Sequence, residues 1–149
     1  MKNECKQRLL RYINFLEEEL QDYPKFRRLR RTDYITDRDK RRSVERWIEN
    51  IISSSIDISK VILTLEGFRL PDNYKEIVSS ISAIEDLKTV DAESLSGWVR
   101  FRNIIAHEYL DIRWASIKRF IRETEPLYKN FSEKVKEYLR ENIANEEAT

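Results

Sequence analysis

The stretch SVERWIENIISSSIDISKVILTLE, residues 43–66, decides the fold class. Val44, Ile48, Ile51, Ser55, Ile58, Ile62 and Leu65 recur at intervals of three and four, the period of one helix face. A second set, Trp47, Ile52, Ile56 and Leu63, lies on other sides of the same helix. A helix that is apolar on more than one face is buried more deeply than a surface helix. The run Ser53-Ser54-Ser55 puts small side chains in mid-helix, where another helix can approach closely. That approach is either the centre of a bundle or a subunit interface in addition to a core. Gly67 is placed to end the helix, with Pro71 just beyond it.

Further helices read outward from this one. Leu9, Ile13, Leu16 and Leu20 form a stripe over residues 6–20, and Pro24 either ends that helix or starts a new turn. Residues 73–87 read as a shorter helix carrying Tyr74, Ile77, Val78, Ile81 and Ile84. Asp91 caps a helix running through Leu95, Trp98, Val99, Phe101, Ile104 and Ile105. Residues 114–141 are helical again, kinked or restarted at Pro126, and a frayed tail is expected over about 142–149. Trp47 and Trp98 fall within apolar stripes and are expected to pack in the core; packing is also the expectation for Trp114. Together these segments predict an all-α, antiparallel helical bundle of five or six helices, one domain over residues 1–149, without repeats.

Composition agrees. The 149 residues contain only 2 Gly and 3 Pro, too few for the turns of an all-β fold. Hydrophobic residues make up 40%, enough for one core. Cys5 is the single cysteine, so neither an internal disulfide nor a cysteine-based zinc site can form, and it is expected to be a partly buried small apolar residue. No apolar run is long enough to span a membrane, and the first residues, Met1 to Lys6, lack the apolar core of a signal peptide. A cytoplasmic protein without membrane association is expected.

The chain as a whole is nearly neutral, with 28 Lys plus Arg against 27 Asp plus Glu. Residues 25–46 are not. They hold ten basic residues against four acids, a local excess of +6. Such asymmetry suits either a polyanionic partner or a solvated face. Arg27, Arg28, Arg30 and Arg31 are its candidate contacts for RNA or for an acidic partner.

The candidate chemistry sits in Arg100-Phe101-Arg102-Asn103-Ile104-Ile105-Ala106-His107-Glu108-Tyr109, around the only histidine. Asn103 and His107 are an i,i+4 pair on one helix face, so the amide can hydrogen-bond the imidazole. Arg102 and His107 are five residues apart, about 140° around an ideal helix. They cannot both face one substrate from a regular helix. Either the helix ends near His107, or two subunits complete the site. Histidine exchanges protons near neutral pH, and the planar fork of arginine fits phosphate oxygens. These are the roles that metal-independent cleavage of an RNA phosphodiester needs. No histidine pair or carboxylate cluster stands at metal-ligand spacing, so neither metal nor other cofactor is expected.

The stretch Arg102-Asn103-x-x-x-His107-x-Tyr109 resembles the Arg-x-x-x-x-His-x-Tyr motif of HEPN-domain proteins, in particular the HepT toxin family. The resemblance extends to Ser43-Val44-Glu45-Arg46 leading into Ile56-Asp57-Ile58, which is similar to that family's long central helix. Gly67-Phe68-Arg69-Leu70-Pro71 followed by Tyr74 is similar to its connector, and His107 to Trp114 to the stretch after its motif. The resemblance implies a HEPN-like bundle that forms a homodimer and acts as a metal-independent endoribonuclease in a prokaryotic, type VII-like toxin–antitoxin pair. It implies an MntA-like minimal nucleotidyltransferase as antitoxin, which silences the toxin by attaching AMP to the motif tyrosine. Arg102 and His107 would then be the catalytic pair, Asn103 an assisting residue and Tyr109 the AMPylation site. Motifs facing each other across the dimer would remove the angular conflict. The alternative is a non-catalytic HEPN module that binds a nucleotide or a nucleotidyltransferase partner through the same motif.

Overall fold

The computed structural model describes residues 2–108 and 112–148, with side-chain surroundings for 3–108 and 112–142. Its centre is the long helix expected over 43–66, which spans Arg38–Leu65. The extra turns at its start come from Asp37, whose carboxylate accepts hydrogen bonds from the backbone N–H of Asp39 and Lys40 at 3.0 and 3.1 Å. Periodicity missed those turns because they carry exposed arginines and no apolar face. At the other end Gly67 takes φ 77°, and the N–H of Phe68 bonds back to the carbonyl of Leu63 at 2.9 Å. Glycine enters that left-handed conformation without a Cβ clash, which is why the helix stops there.

In chain order the helices are α1 (Lys2–Leu20), α2 (Tyr23–Arg27), α3 (Arg31–Thr36), α4 (Arg38–Leu65), α5 (Tyr74–Ser79), α6 (Ala92–His107), α7 (Trp114–Glu123) and α8 (Glu125–Ala148). Among the described residues there is no strand, and no helix is long and apolar enough to cross a membrane. Five of these helices, of ten residues or more, build the bundle; α2, α3 and α5 are single short turns between them. The helix expected over 73–87 is shorter. Residues Ser80–Ala83 and Glu85–Leu87 are 3-10 turns, separated by an extended Ile84. The hydroxyls of Ser79 and Ser80 donate to the carbonyl of Glu76, and that of Ser82 to the carbonyl of Ser79. Such local bonds compete with the helix ladder. Pro126 restarts a helix rather than kinking one, in the first turn of α8. The helical backbone of α8 extends to Ala148, through the stretch where a frayed tail is expected from about 142.

α4 packs against α1, α3, α5, α6 and α7. Its buried residues include both predicted apolar sets except Leu65, which is half-buried at the helix end, together with Ser54 and Ser59. Leu9, Ile13, Leu16 and Leu20 of α1 are buried as their spacing requires. Trp47 joins four helices. Its Nε1–H donates to the Glu19 carbonyl at 2.7 Å, and its ring stacks on Phe26 at 4.5 Å and meets Tyr23 and Phe120 edge-on. Trp98 and Trp114 are half-buried, the first against Phe101 and Phe120, the second against Tyr34. Cys5 is half-buried as expected.

Two buried tyrosines differ in their hydrogen bonding. Thr124 Oγ1 donates to the Phe120 carbonyl at 2.6 Å and accepts from the Tyr23 hydroxyl at 2.7 Å. Among the described residues, the hydroxyl of the fully buried Tyr128 has no hydrogen-bond partner. An unmet buried hydroxyl costs about 1–3 kcal/mol. Tyr128→Phe is therefore expected to leave stability unchanged or raise it by about 1 kcal/mol in urea denaturation, whereas Tyr23→Phe lowers it by a similar amount. A clear loss in Tyr128→Phe contradicts this account.

Candidate active site

The polar residues of α4 form a stripe of their own. Asn50, Ser53, Asp57 and Lys60 follow a three-and-four spacing on a helix whose other faces are apolar. This stripe meets α6 where α6 carries Arg102. The Arg102 Nε–H donates to Ser53 Oγ at 3.2 Å, and Nη1 makes a long contact of 3.4 Å with Asn103 Oδ1. The guanidinium carbon also lies 5.6 Å from the ring centroid of Tyr74, the first residue of α5. Lys60 Nζ lies 4.6 Å from the same ring. Asn73 fixes the start of α5 by accepting the Glu76 N–H at 2.9 Å, and so sets where Tyr74 stands.

Arg102 is thus half-buried and held by a hydroxyl, an amide oxygen and a ring face, all neutral. Among the described residues it forms no ion pair. The nearby acid is Asp57, whose carboxyl is raised above its ordinary value by burial, with Lys60 and Arg102 pulling the other way. Asp57 also borders a cavity of about 390 Å³ beside Ser53, walled on its other side by Tyr12 and Phe15 of α1.

His107 is the last residue of α6 and is exposed. The helix therefore ends at His107, one of the two ways in which the angular conflict with Arg102 can be relaxed. Asn103 does not orient the imidazole as its spacing suggested; no hydrogen bond joins the two, and the amide turns to Arg102 instead. The guanidinium wins because a charged donor makes the stronger bond. Tyr109 lies outside the described residues, as does Asp111. The N-cap position of α7 is Arg113, without a side-chain cap.

The four arginines singled out in the basic segment separate into two groups. Arg27 pairs with Glu125, a carboxylate held below its usual range by Lys129 and by Arg27. Arg30 pairs with Asp33 at 3.6 Å. Arg28 and Arg31 are exposed and form no ion pair among the described residues. A separate cleft of about 790 Å³ between α6, α7 and α8 touches none of Arg102, Asn103 and His107. Its Arg119 is bound to Glu123 at 3.0 Å and covers the Trp98 ring. Spacing analysis missed Ser53, Asp57, Lys60 and Tyr74 as site residues. The signal for the first three was the polar stripe on α4; for Tyr74 only the connector pointed that way.

The raised carboxyl of Asp57 has a consequence for stability. A carboxyl that protonates more readily in the folded state disfavours folding once it is ionised in both states. Stability relative to Asp57→Asn should therefore fall as pH rises from its ordinary value of 3.8 through its raised folded value. Asp57→Asn is expected to be at least as stable as the wild type at pH 7, with the difference shrinking toward pH 3.8 in denaturation midpoints. A wild type markedly more stable at neutral pH would mean that the Lys60 and Arg102 charges outweigh burial.

Residues 9–135 match the family described as ribonuclease HepT-like. Comparison with curated proteins gives no match. Among solved structures the chain is similar to a cytosolic protein of unknown function, YutE, from Bacillus subtilis. The TM-score is 0.76 over 91% of both chains at 15% identity, a likeness of fold. The family match covers the whole bundle from α1 to the middle of α8, including the Arg102–His107 segment, and the chain belongs to the HepT-like ribonuclease family.

Proposed function

We propose that this chain is a metal-independent endoribonuclease toxin that cuts RNA with Arg102 and His107 in a cleft shared by two copies. The observation that carries the reading is the state of Arg102. Its guanidinium is held by Ser53, Asn103 and Tyr74 and forms no ion pair among the described residues, so its positive charge remains for a phosphate. A fixed cation aimed at developing charge needs no reorganisation during the reaction. His107, exposed at the helix end, serves as the proton-transfer group. It takes the proton of the RNA 2′-hydroxyl as that oxygen attacks the adjacent phosphorus. The P–O5′ bond breaks, the 5′-oxygen leaves with a proton, and a 2′,3′-cyclic phosphate remains. Arg102 stabilises the extra charge on the non-bridging oxygens. Asn103 assists by holding the guanidinium.

Arg102 and His107 lie about 7.5 Å apart along the helix axis and about 140° around it. A homodimer pairing the Arg102 of one copy with the His107 of the other suits that separation. The exposed Leu10 and Phe15 of α1 offer apolar surface to such a dimer, at 48% and 42% exposure. The partner that silences the toxin is an MntA-like nucleotidyltransferase in the same prokaryotic cytoplasm. The Tyr109 hydroxyl attacks the α-phosphate of ATP, pyrophosphate leaves, and the tyrosine carries AMP. The added negative charge and the bulk of adenosine oppose RNA binding beside Arg102.

RNA incubated with EDTA tests the catalytic reading. The wild type is expected to cleave it and leave cyclic-phosphate or 3′-phosphate ends. Arg102→Ala and His107→Ala each lose about 100-fold or more in rate. Total RNA left intact by all three proteins, with Tyr109 unmodified by mass spectrometry, assigns the chain to the non-catalytic binding class.

Silencing is tested separately with the antitoxin and ATP. Wild-type protein should gain AMP on Tyr109 and lose cleavage, while Tyr109→Phe stays active and dimeric. Full silencing of Tyr109→Phe refutes the modification site.

A further inference from the structure

Arg38, Arg41 and Arg42 stand on the first turns of α4 and line a cleft of about 620 Å³ together with Ile35 and Ile112. Among the described residues none of the three forms an ion pair. Arg41 makes only a 3.5 Å contact with the Ile35 carbonyl, at the edge of hydrogen bonding. The carboxylate in the cleft wall, Glu45, is engaged elsewhere: it accepts the Tyr34 hydroxyl at 2.6 Å. Burial first, and then this carboxylate, push the Tyr34 hydroxyl far up, so it keeps its proton and remains the donor. Other cations of the same basic segment are neutralised on the protein. Arg27, Arg30, Lys40 and Arg46 pair with Glu125, Asp33, Asp33 and Glu49. Of the six cations in residues 25–46 without an ion pair among the described residues, three, Arg38, Arg41 and Arg42, share this concave surface.

The positions 38, 41 and 42 are i, i+3 and i+4, neighbours on one helix face roughly 5–6 Å apart at Cβ. Like charges so close repel each other, and three cations against the single Glu45 carboxylate leave the cleft net positive, which draws anions in. The guanidinium fork binds phosphate oxygens in pairs and also stacks on nucleobases. Ile112 lies five residues beyond His107, and Tyr34 rests against Trp114 at 5.6 Å. Ile35, 51% exposed, adds apolar surface beside the cations. A strand that alternates phosphates with flat bases satisfies both kinds of wall. An acidic peptide would satisfy only the arginines.

We infer that the cleft of Arg38, Arg41 and Arg42 is a substrate subsite that grips the phosphates of a single RNA strand as it runs to or from the Arg102–His107 motif. The direction of the strand rests on the ribonuclease reading above; the binding itself does not require cleavage.

The test is a salt titration of binding, read by fluorescence anisotropy with a fluorescein-labelled single-stranded RNA. All proteins carry His107→Ala, which keeps the RNA intact. Each phosphate contact contributes roughly 0.7 to the slope of log affinity against log salt on single strands. Arg38→Gln/Arg41→Gln/Arg42→Gln is expected to flatten the slope by about 2, and Arg38→Gln/Arg42→Gln, which leaves the Arg41–Ile35 contact in place, by about 1.4. Arg8→Gln/Arg140→Gln, a double removal of charge from α1 and α8, should keep the parent slope. Cleft variants that stay helical by circular dichroism and keep the parent slope overturn the inference. Equal flattening in the Arg8/Arg140 control overturns it too, because binding is then diffuse. Unchanged RNA slopes with lost binding of a polyglutamate probe assign the cleft to an acidic protein instead. If protein with His107 intact fails to cleave RNA while the slopes separate as expected, the ribonuclease reading falls and the RNA subsite stands.

Discussion

The indole of Trp47 is enclosed by groups from four helices. It donates to the carbonyl of Glu19 on α1, stacks on Phe26 of α2, and meets Phe120 of α7 edge-on from its own place on α4. A buried N–H must find an acceptor, and that acceptor lies near the end of α1, where the last carbonyls have no partner within the helix. The Trp47 bond is the second that this carbonyl accepts, beside the Asp22 N–H at 3.1 Å. It also fixes where α1 stops relative to α4, and so where Pro24 can begin α2. The basic segment follows from there, its position set by an aromatic cluster on its inner side.

The same constraint, burial of α4 on most of its faces, shapes the candidate active site. A helix surrounded by α1, α5, α6 and α7 leaves its polar residues only a narrow strip. Ser54, Ser55 and Ser59 satisfy their hydroxyls on carbonyls of their own helix. Ser53, at the border, accepts from Arg102 instead. Because serine is small, α6 comes close enough for this bond, and Arg102 is held without an ion pair among the described residues. Asp57, one turn on, remains half-buried near it at a cost in desolvation. The geometry that retains a free cation also keeps an acid strained beside it, the balance expected where stability yields to function.

Charge is partitioned by the fold in a comparable way. The protein is nearly neutral, yet residues 25–46 carry ten basic residues against four acids. Acids from α3, α4 and α8 neutralise Arg27, Arg30, Lys40 and Arg46, while Arg38, Arg41 and Arg42 on the first turns of α4 receive none among the described residues. Those turns exist because Asp37 caps them, so one capping carboxylate both extends the helix and presents its arginines on a regular spacing.

Much of this was legible in the sequence because the relevant physics is local. The stripe Leu9, Ile13, Leu16, Leu20, the stop at Gly67, the cap at Asp91 and the ends of the long helix to within a few residues follow from interactions four residues apart or fewer. The place of the Arg102–His107 segment on one helix was readable for the same reason, while the family came from the resemblance of its motif and flanks. The segment after Ile77 was misjudged as one helix because serine back-bonding defeats a periodic apolar pattern. What the residues themselves could not reveal depends on partners distant in the chain. Ser53 and Arg102 are 49 positions apart, and Arg27 and Glu125 are 98 apart. Arginines of one segment look alike in sequence; only the packing of α8 against α7 and of α4 against α6 decides which are neutralised and which keep their charge for a ligand.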